Sequence, residues 1–300
     1  MPSYQPPPLR IAIIGGGPGG LGSAIALSSL PNVVVTLYER AKELREIGAG
    51  IRVGNGLSGE IVKESPLSKY PIRYHPQRVR RTRLQSALIS KVPEGVIKLN
   101  KKLVGLEDLS ENGVKLTFED GSEVIADLVV GGDGIRSDYD PRVLEALSVV
   151  PEGHWKEFSA FAGPRLEKLT AWNEKIVLIG DASHPLSGAF GSGATFAMED
   201  GWILARAIEY SRGVGGNLSR ALEVFDSIRS PYYARMYTHL DEQKQKVQNS
   251  KATNQGQSFE LTLRTRIAAF GGEEKLSWIY GNDIGEVWSD FLRTSEKSDA

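Results

Sequence analysis

The sequence predicts an α/β fold built on a parallel sheet, with a β-meander attached and helices toward its C-terminal end. Three observations carry this. A β-branched strand near the start of the chain runs into a glycine turn and then a small-residue helix. Two further strand-to-glycine junctions follow, at 131–134 and 180–185. Glycine is in excess, 33 of 300 residues against about 7% in average usage, and it is clustered without a collagen-like period.

The first junction is a complete strand–helix–strand unit. Arg10 to Ile14 is apolar and β-branched, as a strand buried on both faces should be. Gly15, Gly17 and Gly20 stand in G-x-G-x-x-G register, Leu21 to Leu30 reads as a helix, and Val33 to Tyr38 as the second strand. Gly15 permits the tight turn, Gly17 lets backbone approach a pyrophosphate, and Gly20 lets helix and strand pack closely. The helix N-terminus offers free N–H groups and partial positive charge to phosphates. Glu39 ends the second strand, where a carboxylate accepts hydrogen bonds from a ribose diol and repels a 2′-phosphate. The site should therefore take FAD or NAD and not NADP.

Pro71 to Arg83 holds five arginines, Arg73, Arg78, Arg80, Arg81 and Arg83, just before and within the start of a helix marked by Leu84, Ala87 and Leu88. They read as a solvated charged face, or as a place where one guanidinium meets a phosphate or a ribityl hydroxyl. A meander follows. Leu103 to Glu107 leads through Asn112-Gly113 to Val114–Phe118, and Asp120-Gly121 leads to one long strand, Val124 to Val130. That strand ends in glycines and Asp133, placing amides and a carboxylate at a sheet's carboxyl edge. Lys175 to Ile179 repeats the theme, ending at Gly180 and Asp181 ahead of an almost wholly apolar helix from Ala194 to Ala205. Asp181 is placed to hold polyol hydroxyls. His184, before a proline in a loop, reads first as a hydrogen-bonded scaffold group and second as a general base.

Composition excludes several classes. Lysine and arginine number 36 against 37 acidic residues, for a formal net charge of −1, which argues against a nucleic-acid partner or a polybasic membrane binder. There are no cysteines, so disulfides, thiolate metal sites and Cys nucleophiles are excluded, and no metal-ligand cluster is evident. The proline-rich start is no signal peptide and no stretch is long enough to span a membrane, so a cytoplasmic location is expected. Oligomeric state is not legible.

Taken together, the three junctions resemble, in order, the three signatures of the FAD-dependent aromatic-ring monooxygenases, nearest to a fungal salicylate-hydroxylase-like branch. The matching residues are 15–20 with Glu39 and Arg40, 131–134, and 180–185 with Gly191 to Gly193, Glu199 and Asp200. Gly48 to Ile51, including Gly50, resembles that family's segment beside the flavin, and Arg81 with Leu84 resembles its R-x-x-L motif. The likeness runs in patches from Ile11 to about Tyr210. It departs from the family at Gly188, Ser192 and Thr195, where proline, glutamine and asparagine are common. The resemblance implies a Rossmann-like FAD-binding domain with attached β-meander, reduced substrate region and C-terminal helices. It assigns Glu39 to the adenosine ribose, Arg81 to the FAD chain, Asp133 to the pyrophosphate region and Asp181 to the ribityl chain. Gly193 and Ala194 would open a helix aimed at the flavin's pyrimidine end. The implied activity is hydroxylation of a small phenolic or related aromatic substrate with NAD(P)H and O2; no catalytic base is identified.

The spacing sets this chain apart. Only 42 residues lie between Ser137 and Gly180. A five-stranded sheet over the flavin needs about 45–50 residues, and part of the interval already reads as a helix opened by Asp140-Pro141. The interval from Ile51 to Arg80 is short as well. The expected layout is 1–137 and 175–212 as two parts of the FAD-binding domain, 138–174 as a reduced middle, and 213–300 as a helical segment. A wet flavin without its roof loses its reactive oxygen as peroxide, so the alternative is a remnant that is non-catalytic or only an uncoupled NAD(P)H oxidase. A plain NAD-dependent dehydrogenase would have no use for a ribityl-binding Asp181.

Overall fold

The computed structural model describes residues 7–44, 81–134, 165–186, 192–253 and 277–298. The chain divides into two compact units, Met1–Ile47 with Arg81–Pro231, and Gly48–Arg80 with Tyr232–Ala300.

The first unit is organised by a six-stranded sheet. β1 (Leu9–Ile14) pairs in parallel with β2 (Val33–Tyr38) on one side and with β7 (Leu128–Gly131) on the other. β3 (Ile97–Lys98) extends the sheet beyond β2, and β9 (Ile176–Leu178) extends it beyond β7, both in parallel. β8 (Thr170–Ala171) closes the far edge as the one antiparallel member. The order is β3-β2-β1-β7-β9-β8. The carboxyl ends of β1, β7 and β9 therefore share one edge.

Each face of the sheet is covered differently. The antiparallel meander β4 (Leu103–Asp108), β5 (Val114–Phe118) and β6 (Glu123–Ala126) packs Leu103, Val114, Leu116 and Phe118 with Ala12, Ile14, Tyr38, Val129 and Ile176 of the main sheet. Tyr38 and Phe118 rings lie 4.7 Å apart, and burial pushes the Tyr38 phenol up from its ordinary pKa. Ile13 and Ile179 point instead toward helix α1 (Pro18–Ser28). Helix α2 (Arg81–Ile89) precedes β3. Helix α3 (Gly193–Gly213) lies beside α1 in the same direction, Gly19 meeting Ala197, Gly22 meeting Met198, and Ser23 meeting Gly201. Small residues on both sides let the two backbones approach closely.

The long strand expected over 124–130 is two strands. Asp127 separates them, one leaving the meander and the other entering the parallel sheet. Its carboxylate accepts the Arg10 backbone N–H at 2.7 Å and the Arg10 guanidinium at 2.5 Å. Burial raises the Asp127 pKa, but the Arg10 hydrogen bonds prevail and hold it below the usual carboxylate range. An uninterrupted apolar run hides this break, because alternation cannot show where a strand changes partners.

The sequence reads as two helical stretches, Leu218 to Arg229 and Pro231 to Leu240; they are one helix, α4 (Leu218–Thr253), with Pro231 inside it. A proline in a helix interior costs about 3 kcal/mol. Ala221, Leu222, Val224 and Phe225 are buried before it, and full burial of each large apolar side chain returns about 1.5–3 kcal/mol. The expected strand at 175–179 is Ile176–Leu178, and the helix expected from Leu21 starts at Pro18, a favoured first helical residue.

In the second unit, the described residues comprise the C-terminal part of α4, a single turn Ser277–Tyr280, and helix α5 (Ile284–Ser298). Arg235 lies 4.0 Å over the Trp278 ring and Tyr232 meets that ring edge-on. The stretch Leu261 to Phe270, which in sequence also reads as a helix, lies outside the described residues. The Ser-Glu-Lys-Ser stretch at 295–298, which in sequence reads as a frayed tail, is helical to Ser298. Among the described residues no helix is long and apolar enough to cross a membrane.

Candidate cofactor site

The first turn leaves β1 at Gly15, whose φ of +102° is open to glycine at little cost. Its N–H donates to the Tyr38 carbonyl at 2.9 Å. A Cβ on Gly15 would lie 2.6 Å from both the Asp133 Cα and the Gly132 carbonyl oxygen, so the first and second turns touch backbone to backbone. A Cβ on Gly20 would lie 1.9 Å from the Gly15 carbonyl oxygen, which is the close helix–strand approach expected of that glycine. Gly17 differs. Among the described residues no atom lies within 4 Å of a Cβ placed there, and no side chain caps the α1 N-terminus that it opens. Open space beside uncapped helix amides is what a phosphate requires.

Glu39 stands beside this turn. Its Oε2 accepts the Gly16 N–H at 2.7 Å and its Oε1 accepts the Ala41 N–H at 2.8 Å. Each oxygen keeps a further lone pair, and the side chain is only half-buried, so the carboxylate is aimed and still able to accept hydroxyls. Arg40 follows, exposed.

The second turn comes off β7. The Gly132 N–H donates to the Ile14 carbonyl at 2.9 Å, which keeps it against the first turn. Asp133 is half-buried there. The third turn leaves β9 at Gly180, with φ of +58° and a Cβ position 2.8 Å from the Ala197 Cβ. Asp181 follows, exposed, its Oδ1 3.7 Å from a Cβ placed on Gly193 at the start of α3. Gly193 is exposed and Ala194 half-buried. Three turns, three acidic side chains (Glu39, Asp133 and Asp181) and two parallel helix N-termini thus lie at one edge of one sheet.

Behind the third turn is a buried charged cluster. The Asp200 Oδ2 accepts the Gly180 N–H at 2.9 Å and lies 2.8 Å from the His184 Nε2, while its Oδ1 accepts the Arg229 Nε–H at 2.8 Å. His184, Asp200 and Arg229 are at most 1% exposed. Arg229 also donates to the Glu199 carboxylate at 3.2 Å and the Phe196 carbonyl at 3.4 Å. His184 is therefore built into the scaffold, as the first of its two readings has it. Arg229 is the residue that sequence reasoning misses. The available signal is Asp200 itself, an acidic residue in an apolar helix, which demands a cation that lies 29 positions further on.

Of the residues singled out in the sequence, the structure brings together Gly15, Gly17, Gly20, Glu39, Asp133, Asp181, Gly193 and Ala194. Arg81 opens α2, with its side chain outside the described residues, and Gly50 lies outside them altogether.

The arrangement is a Rossmann-like α/β fold, and solved structures share it. The chain superposes on FqzB with a TM-score of 0.65 at 16% identity, covering 100% of this chain and 97% of that one. Against a salicylate hydroxylase substrate complex the TM-score is 0.58 at 18% identity, covering 93% and 97%. Against Klebsiella pneumoniae HpxO complexed with FAD and uric acid it is 0.59 at 18% identity, covering 95% and 93%. No protein-family model matches. In sequence the chain is 29% identical over 176 residues to the 6-methylsalicylate 1-monooxygenase of Aspergillus terreus, covering 45% of this chain and 40% of that protein. It is 31% identical over 185 residues to an FAD-dependent monooxygenase of Hypocrea jecorina, covering 52% and 40%. Matches to these fungal relatives thus span about 40% of their length. A salicylate hydroxylase of Pseudomonas putida is 22% identical over 363 residues, covering 76% of this chain and 83% of that protein. An alignment of 363 positions that draws on 76% of a 300-residue chain has large gaps on this side. In sequence the chain is thus similar to FAD-dependent monooxygenases of the salicylate-hydroxylase type, with gaps against the longer ones.

Proposed function

We propose that the three turns hold one FAD and that the protein is a flavin-dependent oxidoreductase of the aromatic-hydroxylase type. The observation that carries this is the backbone contact of the Gly15 and Asp133 turns, with Asp181 at the third turn on the same sheet edge beside a second helix N-terminus. One N-terminus and one carboxylate suffice for an ADP moiety; the second pair is explained by a longer molecule with a polyol in its middle. Glu39 would hold the adenosine ribose, the amides after Gly17 the pyrophosphate with Asp133 nearby, and Asp181 the ribityl hydroxyls. The amides of Gly193 and Ala194 would stabilise negative charge on the reduced ring at its pyrimidine end. When bound, FAD supplies hydride acceptance from NAD(P)H and transfer of one oxygen atom from O2 to an electron-rich ring. The substrate class proposed is a small phenolic aromatic.

A second reading, an uncoupled NAD(P)H oxidase, is favoured by the 42 residues between Ser137 and Gly180 and by the gapped alignment to the longer relatives. One experiment separates the two. NADH and NADPH consumption are measured with purified, FAD-loaded protein, with and without a panel of phenols, together with peroxide yield. Peroxide well below the reductant consumed in the presence of one phenol supports hydroxylation. Peroxide equal to the reductant consumed with every phenol supports the oxidase, and protein that takes up no FAD defeats both.

A further inference from the structure

We infer that Arg229, acting through Asp200, is a positioning residue that sets the third turn for its grip on the cofactor's polyol. The inference rests on the FAD reading above and adds to it a residue about fifty positions beyond Asp181. The turn opens at Gly180 and Asp181. Gly180 sits in a left-handed conformation, and Asp181 faces solvent. Its internal bonds, from the Ser183 and His184 N–H groups to the Gly180 carbonyl, shape the turn without tying it to α3.

Asp200 supplies that tie. One of its oxygens takes the N–H of Gly180 and faces the His184 ring nitrogen, one residue before and three residues after Asp181. A carboxylate accepts and cannot donate, so His184 Nε2 carries the hydrogen. The other Asp200 oxygen is held by the Arg229 Nε–H. Asp200 is fully buried, and a carboxylate in such a place stays charged only with a partner. Arg229 fixes its own direction through further bonds to Glu199 and the Phe196 carbonyl, both on α3. Asp200 thus fastens the turn to the helix that opens at Gly193, where an added Cβ would lie 3.7 Å from the Asp181 Oδ1. Removing the guanidinium leaves Asp200 a buried charge, and its bonds to the turn are the first to rearrange. A lysine offers one donor centre where arginine offers a fork, so it can serve Asp200 or Glu199 but not the whole set.

The test uses two probes on the full chain, FAD and ADP. ADP reports the first turn and Glu39 alone; FAD reports all three turns. Dissociation constants for both are measured by titration on wild type, Arg229→Met and Arg229→Lys, counting only the protein fraction that binds ADP. Arg229→Met is expected to weaken FAD by about tenfold or more, the loss of a charged hydrogen bond, with ADP unchanged. Arg229→Lys is expected to fall between wild type and Arg229→Met. Equal weakening of both probes assigns Arg229 to general stability and overturns the inference, as does FAD affinity unchanged in both variants. Should Arg229→Met give no ADP-binding protein, Arg229→Lys decides alone, and a wild-type FAD-to-ADP ratio in it overturns the inference. Wild type that binds ADP but not FAD defeats the proposed function itself, a distinct result.

Discussion

The first and third turns both bring a strand's end to the same sheet edge, yet they are secured by opposite means. At the first, backbone touches backbone: Gly20 against the Gly15 carbonyl, and Gly15 against Asp133. At the third, the chain is tied by buried charge, with Asp200 bridging Gly180, His184 and Arg229. The glycine joint is local and sterically intolerant. The ionic joint is assembled from distant residues and can be rebuilt with other side chains, because a complete buried ion cluster often contributes little net stability while a broken one costs much.

Substitutions can break this contrast. Asp200→Ala takes away the acceptor of the buried Arg229 Nε–H and strips Gly180 and His184 of theirs, with an expected loss of about 3–5 kcal/mol, read by chemical denaturation. The pair Asp200→Asn with Arg229→Met removes both charges and keeps an acceptor for Gly180, so it is expected to lose less than Asp200→Ala alone. A double variant no more stable than Asp200→Ala would erase the distinction between the joints. Gly20→Ala places a carbon 1.9 Å from a carbonyl oxygen. Its expected cost is about 2–3 kcal/mol by the same denaturation measurement, with loss of FAD uptake.

Smaller effects sharpen the account. Glu39→Gln keeps the size but makes one of its two atoms a donor facing the Gly16 or Ala41 N–H, so FAD affinity should fall about tenfold by titration. The smallest effect is at the Arg10–Asp127 pair, which is partly exposed. The Asp127 pKa is lowered in the folded chain. Its stabilisation is therefore full above the ordinary carboxylate value of about 3.9 and is lost as pH falls through the folded-state value. Asp127→Asn should reduce stability by about 1 kcal/mol or less at pH 7 and flatten that acid loss, as measured by denaturation at several pH values.

The same contrast explains what the sequence could reveal. Ile11 to Gly20 was legible because strand, turn and helix are contiguous, and each glycine answers a local steric demand. Glu39 was legible from its place at the end of β2. The bonds that aim it, from Gly16 and Ala41, depend on a fold that only coordinates show. The change of sheet at Asp127 was hidden in an unbroken apolar run, since its cause, Arg10, lies 117 positions away. Pro231 reads in sequence as the start of a second helical stretch, because the burial around it, which outweighs a proline's local cost, leaves no local mark. Arg229 carries no local signal, since its partner Asp200 lies 29 positions earlier.

The central claim is that separate turns grip a single extended cofactor, and paired titrations of Glu39→Ala and Asp181→Ala with FAD and ADP test it most directly. The expected result is that Glu39→Ala weakens both probes while Asp181→Ala weakens FAD and spares ADP. FAD affinity unchanged in either variant would contradict the claim.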